Sequence, residues 1–369
     1  MESILSFGQM MLAFLAVLTV LVFVHEWGHY IVARLNGVRV EVFSVGFGPE
    51  IWGFDDKHGT RWKFSWIPLG GYVRFFGDGS EASTPGENLT SMTEEEQKVA
   101  FHFKRLHQKA AIVFAGPAIN FLFAILIIAG MFFTYGRLVL SPVVGDVIEG
   151  GAAAAAGIEG GDRIVSIDGE EITSFRDIRE HLLFKVDEDV SLVVVRSGET
   201  INFNFTLNIV DDEDILGQPT RVRQIGIGND PEQREVINYG LFSALLQATI
   251  ETKNLTMRNL QGLGQMLVGD RSPRELGGPI TIARVAGRSA EFGLVSLINF
   301  MALVSIGLGM INLFPIPMLD GGHLLYYAIE AIRRKKMSDA AQEFGFKIGI
   351  AVVLSLMVFA TFNDILKIG

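Results

Sequence analysis

Four stretches of this chain stay apolar long enough to cross a bilayer, and the remaining sequence falls into the gaps between them. Residues 7–35, 110–133, 294–313 and 344–366 each supply the roughly 20 residues that a helix needs to span a hydrocarbon core of about 30 Å. Between the first two, Val40 to Phe76 changes to alternating, aromatic-rich pieces: VEVFSVGFG, RWKFSWIPLG and GYVRFF. Gly46, Gly48, Pro49, Gly59, Pro68, Gly70 and Gly71 interrupt them, which predicts short strands and tight turns. Such strands beside a spanning helix read equally well as a hairpin dipping into the membrane edge, with its backbone paired or buried in protein, and as a cytoplasmic hairpin. Residues 78–97 are acidic and polar, with Pro85 and Gly86, and predict a solvated loop.

The gap between the second and third apolar runs is long enough for a domain of its own. Residues 141–210 contain VVGDVIEGGAAAAAGIEGGDRIVSIDGEEI, an amphipathic helix SFRDIREHLL, and alternating strands DVSLVVVRS and ETINFNFTL, so a small α+β fold is expected. Beyond it, Asp211 to Asp214 form an acidic linker, and GQPTRVRQIGIG suits a strand pair or an interface stretch. Apolar residues at helical intervals from Tyr239 to Leu267 predict an amphipathic helix lying on the membrane or against the bundle. RSPRELGGPI follows as a turn-rich connection. The expected organisation is a first membrane half (1–140), an inserted domain (141–210), linker strands and an amphipathic helix (211–293), and a second membrane half (294–369).

Composition and charge narrow the class. With 49% hydrophobic residues in 369, the chain does not read as an ordinary soluble globule. The net charge of -10 includes no basic patch or stripe, so nucleic-acid binding has no support. Basic residues do cluster at Arg34 and Arg39, at Lys104–Lys109 and at Arg333–Lys336. By the positive-inside rule these mark cytoplasmic ends, which gives four crossings, both termini outside, and the 141–293 region on the same outer side. The first run lacks a basic n-region and a small-residue cleavage site, so a retained helix is expected rather than a signal peptide. Cysteine is absent, which leaves nitrogen and oxygen as the only ligands for a metal.

Candidate chemistry lies inside the first apolar run, at HEWGH. His25 and His29 are four apart and share a helix face, and Glu26 sits beside them, which is the zincin arrangement of two nitrogen ligands and a general base. The bland alternative is a histidine pair that snorkels to the interface. Catalytic zinc usually takes three protein ligands and keeps one open position. Asp320, beyond the break that Pro315 and Pro317 impose on the third run, is the best candidate for the third, with His323 as its competitor. In the second run, AGPAIN combines Gly116, Pro117 and Asn120. This suits either close helix packing around a satisfied polar group or an irregularity facing the first helix. His107, among basic residues, reads as an interface residue.

HEWGH, the glycine-rich strands, GPAIN, GGPI and NLFPIPMLDGG together resemble the site-2 protease family of intramembrane zinc metalloproteases, in its bacterial regulator of sigma-E protease type. GDRIVSIDG likewise resembles part of a circularly permuted PDZ domain, and there is room for one such domain where the best-known enterobacterial member has two. The resemblance implies a polytopic membrane protein of four transmembrane helices, with a membrane-associated β-hairpin or sheet region and one extracytoplasmic PDZ-like α+β domain. It implies Zn2+ held by His25, His29 and Asp320, Glu26 as the catalytic base, and Asn312 and Pro315 near bound substrate. Edge pairing along the strand around Gly70 and Gly71 would hold an unwound substrate. The implied partners are membrane lipid and single-pass membrane proteins of the anti-sigma factor type, already trimmed outside, or remnant signal peptides. The implied setting is the inner membrane, in a stress response, as a monomer. Two other classes compete: a membrane scaffold with a degenerate metal site, and a transporter with broken helices, for which the hydropathy shows no internal repeat.

Overall fold

In the computed structural model, which describes residues 2–79, 91–185, 189–213, 219–230 and 233–367, the elements follow the hydropathy pattern closely at first. Helix α1 (Glu2–Leu35) is followed by strands β1 (Val40–Asp55) and β2 (Arg61–Phe75), a short helix α2 (Glu94–Val99) and helix α3 (Leu106–Tyr135). Then come β3 (Arg137–Leu140), β4 (Val144–Val147), α4 (Ala152–Ala156), β5 (Arg163–Ile167), β6 (Glu170–Glu171), α5 (Phe175–Phe184), β7 (Asp189–Arg196) and β8 (Glu199–Thr206). Strands β9 (Asn208–Glu213), β10 (Pro219–Gln224), β11 (Ile227–Asn229) and β12 (Arg234–Ile237) lead into helices α6 (Leu241–Val268), α7 (Pro279–Glu291), α8 (Leu294–Asn312), α9 (Asp320–Arg333) and α10 (Asp339–Leu366). Among the described residues, four helical segments are long and apolar enough to cross a membrane: Phe7–Leu35, Leu106–Tyr135, Leu294–Asn312 and Ala340–Leu366. The protein is thus polytopic, as the four apolar runs predict.

The chain divides into two compact units, one of residues 1–128, 249–256 and 274–369, the other of residues 129–248 and 257–273. In the first unit β1 and β2 are longer than the short strands expected, and they fold over on themselves. Val42–Val45 pair on one side with residues 71–74 and on the other with residues 61–64, while residues 50–55 pair with 61–65. Bends near Gly46 and Gly70, both with positive φ, let one hairpin make a four-ribbon sheet whose outer ribbon is residues 71–75. Phe43, Val45, Val73, Phe75 and Phe101 pack with Ala33 and Ile112, fixing the sheet on α1 and α3. At the hairpin turn Asp56 gathers four donors: the His58 and Thr60 amides (2.8 and 3.0 Å), Trp62 Nε1 (3.1 Å) and the Tyr30 hydroxyl of α1 (3.1 Å). The opposite edge ribbon leaves Ile51, Trp52 and Phe54 exposed, with Phe64 and Trp66 exposed beside them.

Two local departures have tertiary or capping causes. Residues 94–97, expected to belong to a solvated loop, are helical as part of α2 because Thr93 and Glu96 form a reciprocal capping box; residues 80–90 of that acidic stretch lie outside the described residues. The GGPI connection opens α7 rather than a plain turn. Its helix-opening amides at Gly278, Ile280 and Thr281 are taken at 2.9 Å by the buried carboxylate of Asp364, near the end of α10. A cap supplied from 83 to 86 residues away leaves no local sequence signal.

The second unit has the small α+β character expected from its strand and helix pattern. Its four-stranded sheet runs β6-β5-β7-β8, and Ile164, Ile167, Leu192 and Val194 from the central strands pack on Ile178 and Leu182 of α5. Asp168 and Gly169, both at positive φ, make the tight β5–β6 turn. The core does not stop at residue 210, because Ile225 lies in it and β11 pairs with β4. The edge of β4 needs a partner, and the chain beyond the acidic linker supplies it; Asp214 of that linker lies outside the described residues.

Burial alone would raise the Asp56 carboxyl, but the Thr60 amide, Trp62, the His58 amide and Tyr30 outweigh it and hold the group at about 2. A carboxylate depressed in the folded protein stabilises it above its unfolded value near 4, and that contribution is lost as pH falls from about 4 to about 2. Amide exchange at His58 and Thr60, corrected for the intrinsic pH dependence of exchange, should accelerate across that window. In Asp56→Asn it should be faster at neutral pH and show no such step.

Candidate metal centre

The site begins as a stripe on α1. His25 and His29 lie one turn apart with ring centroids 4.9 Å from each other, and their Nε2 atoms approach to 3.3 Å. Asp320, the first residue of α9, brings Oδ2 to 3.2 Å from His25 Nε2 and 3.5 Å from His29 Nε2. These are the spacings of donor atoms around one small ion: corners about 2.0–2.1 Å from the centre of a tetrahedron lie roughly 3.4 Å apart. The charge pattern agrees. His29 Nδ1–H donates to the Ile112 carbonyl at 2.9 Å, so in the neutral ring Nε2 carries a lone pair beside the carboxylate, and Asp320 Oδ2 is buried without a hydrogen-bond partner. Two electron-rich atoms turned toward each other in an apolar bundle repel unless a proton or a metal ion lies between them. The donor set therefore fits a divalent metal.

Sequence explains how Asp320 arrives there. Helix α8 ends at Asn312, the chain turns through LFPIPML, and α9 starts anew at Asp320. Gly321 and Gly322 have no room for a side chain, since a Cβ on either would run into the backbone of Leu313–Phe314 or Ile316–Pro317. That pair lets the first turn of α9 lie against the proline-rich loop and sets the carboxylate at the positive end of its helix. The gap opposite the imidazoles is made by Gly116 of α3, where a Cβ would collide with His29 and come within 2.9 Å of His25 Cε1. Gly28 similarly allows α1 to lie close to Ala115.

A cavity of about 420 Å³ opens beside the three donor residues, and Glu26, Gly71, Tyr72, Val73, Asn312 and His323 line it. Glu26 accepts a hydrogen bond from the Val73 backbone, on the outer ribbon of the sheet. Gly71 is as close to α1 as a residue can be: a Cβ there would lie 2.6 Å from Val22 Cγ1 and 3.1 Å from Glu26 Cγ. Of the residues expected to meet substrate, Asn312 and Gly71 face the cavity, whereas Pro315 and Gly70 are not among its lining residues. His323, the competing third ligand, lines the cavity, but among the described residues the group able to hold a metal is His25, His29 and Asp320. Asn120, left open in the sequence between packing and function, lies at 3.0 Å from His25 Nδ1. Its place in GPAIN, one turn after Gly116, was the only signal.

Gly116 tests whether this geometry holds a metal. An alanine there favours the helix but forces the imidazoles to move, so Gly116→Ala should weaken divalent-metal affinity by about tenfold or more with helix content unchanged. Isothermal or chelator-competition titration with circular dichroism would show both.

Comparison with known proteins matches the model of peptidase family M50 to residues 13–356. The "Putative zinc metalloprotease" of Brucella suis biovar 1 is 44% identical over 355 residues, covering 95% of this chain and 94% of that protein. Metalloprotease MmpA of Caulobacter vibrioides is 36% identical over 384 residues, covering 98% and 96%. Among solved structures, the PDZ domain of an SdrC-like protein from Listeria monocytogenes covers 27% of this chain and 93% of its own at 20% identity, with a TM-score of 0.19. With the family pattern running from the first membrane helix to the last, and full-length relatives this similar, the chain belongs to peptidase family M50.

Proposed function

We propose that this protein is an intramembrane zinc endopeptidase that cleaves single-pass membrane proteins within or beside their membrane segments. The observation that carries the reading is the meeting of His25, His29 and Asp320 with Glu26 in one cavity among membrane helices. Zinc is the metal: its donor set here is two imidazoles and a carboxylate, and bound there it supplies Lewis acidity toward a peptide carbonyl and a water. Every other task falls to the chain. Glu26 takes a proton from the attacking water and returns it to the leaving amine, with the Val73 amide holding its carboxylate in place.

A substrate helix ties up its carbonyls in its own hydrogen bonds, so cleavage requires local unwinding. Residues 71–75 form the outer ribbon of the sheet beside Glu26, and an extended substrate can add to that edge. The Asn312 amide in the cavity offers a further partner to a freed backbone. The exposed Trp52, Phe54 and Trp66 favour the membrane-edge placement of the hairpin over a cytoplasmic one.

The basic flanks support an inner-membrane orientation with the metal centre near the cytoplasmic side and the PDZ-like domain and both termini outside. Asp364 capping α7 supports part of this, since it brings the start of α7 and the end of α10 to the same level. In this arrangement the PDZ-like domain selects substrates by outer bulk, admitting anti-sigma-type proteins after an external cut and remnant signal peptides. The enzyme works as a monomer in lipid.

The test is cleavage of a model transmembrane substrate by purified full-length protein. Glu26→Gln should retain zinc and lose cleavage by a factor of about 100 or more, whereas Asp320→Asn should lose zinc and activity together. Normal turnover by Glu26→Gln would reject the assignment.

A further inference from the structure

Asn120 is fully buried on α3, and its two side-chain ends have unequal surroundings. With Nδ2 toward His25 Nδ1, at 3.0 Å, Asn120 Oδ1 is buried without a partner. That arrangement also makes Nδ1 the acceptor, so the ring proton of His25 must sit on Nε2, the atom 3.2 Å from Asp320 Oδ2 and 3.3 Å from His29 Nε2. A protonated Nε2 cannot ligate a metal. Turning the amide over, which keeps its shape and moves Nδ2 to the place Oδ1 held, corrects the ring: Nδ1–H donates to Oδ1, and the Nε2 lone pair faces the other two ligands. His29 already has this form, because the Ile112 carbonyl can only accept its Nδ1 proton.

We propose that Asn120 is a positioning residue of the metal centre, whose side-chain oxygen accepts the Nδ1 proton of His25 and so fixes the tautomer and ring rotation that present Nε2 to the metal. The proposal rests on the metal-centre reading above and adds a residue outside the donor set. The backbone and side chain of Asn120 have separate tasks. Ser305 of α8 donates to the Asn120 carbonyl at 2.8 Å, which anchors α3 at this level, and the amide is left free to face His25.

Zinc affinity of the full-length protein in detergent, by chelator competition, separates the possibilities. Stoichiometric binding by the wild type, lost in His29→Ala, tests the metal centre itself; the differences between Asn120 variants test Asn120. Asn120→Asp keeps the acceptor and cannot donate when ionised, so it should bind zinc within about threefold of the wild type, while Asn120→Leu, of similar volume but with no acceptor, should bind about 10–100-fold more weakly. Asn120→Asp binding as weakly as Asn120→Leu would show that the amide donates, and wild-type affinity in Asn120→Leu would show that it does not position His25; either result overturns the proposal. If Asn120→Leu does not fold, Asn120→Asp decides alone: near-wild-type affinity supports the acceptor role, and a loss greater than tenfold rejects it.

Discussion

The structure depends on one electrostatic constraint: three electron-rich donor atoms held within 3.5 Å of one another among apolar helices. In hydrocarbon surroundings such a cluster is unfavourable on its own and becomes favourable only around a cation. Much of the first unit serves to hold it. Helix α1 presents two imidazoles, Gly116 opens α3 to receive them, and the LFPIPML turn with Gly321 and Gly322 delivers a carboxylate from the other end of the sequence. The folded-over hairpin then closes one side of the cavity with a strand edge instead of a side-chain wall.

Placing a strand edge next to Glu26 links the fold to the chemistry proposed for it. A helix cannot expose its backbone carbonyls in a membrane without losing hydrogen bonds, and a neighbouring unpaired edge offers replacements. The sheet is held to α1 by its apolar core and by the donors gathered at Asp56, one of them from Tyr30 of α1 itself. The edge, Glu26 and the two imidazoles therefore share α1 as their support, which is the sort of rigid arrangement a small site geometry requires.

What the sequence discloses and what it hides differ in physical kind. The four spans were legible because hydropathy is a local property that bilayer thickness converts directly into length. His25, Glu26 and His29 were legible because helical periodicity alone puts them together. Asp320 was reachable through a depth estimate from basic flanks and a proline break, but not its starting of a separate helix. The cap of α7 by Asp364, the double pairing of residues 42–45, the contribution of Ile225 to the second core and the clearance at Gly116 arise from contacts between residues distant in sequence. No local pattern encodes them. Asn120 stands between these cases, since its polarity in an apolar run was visible but its partner was not.

The central claim is that His25, His29 and Asp320 hold one zinc ion. X-ray absorption at the zinc edge on purified full-length protein measures this directly. The account predicts a low-coordinate nitrogen and oxygen shell at about 2.0 Å with multiple-scattering features of two imidazoles, and loss of that bound zinc in His29→Ala. A zinc shell with no imidazole signal, or one unchanged in His29→Ala, would contradict it.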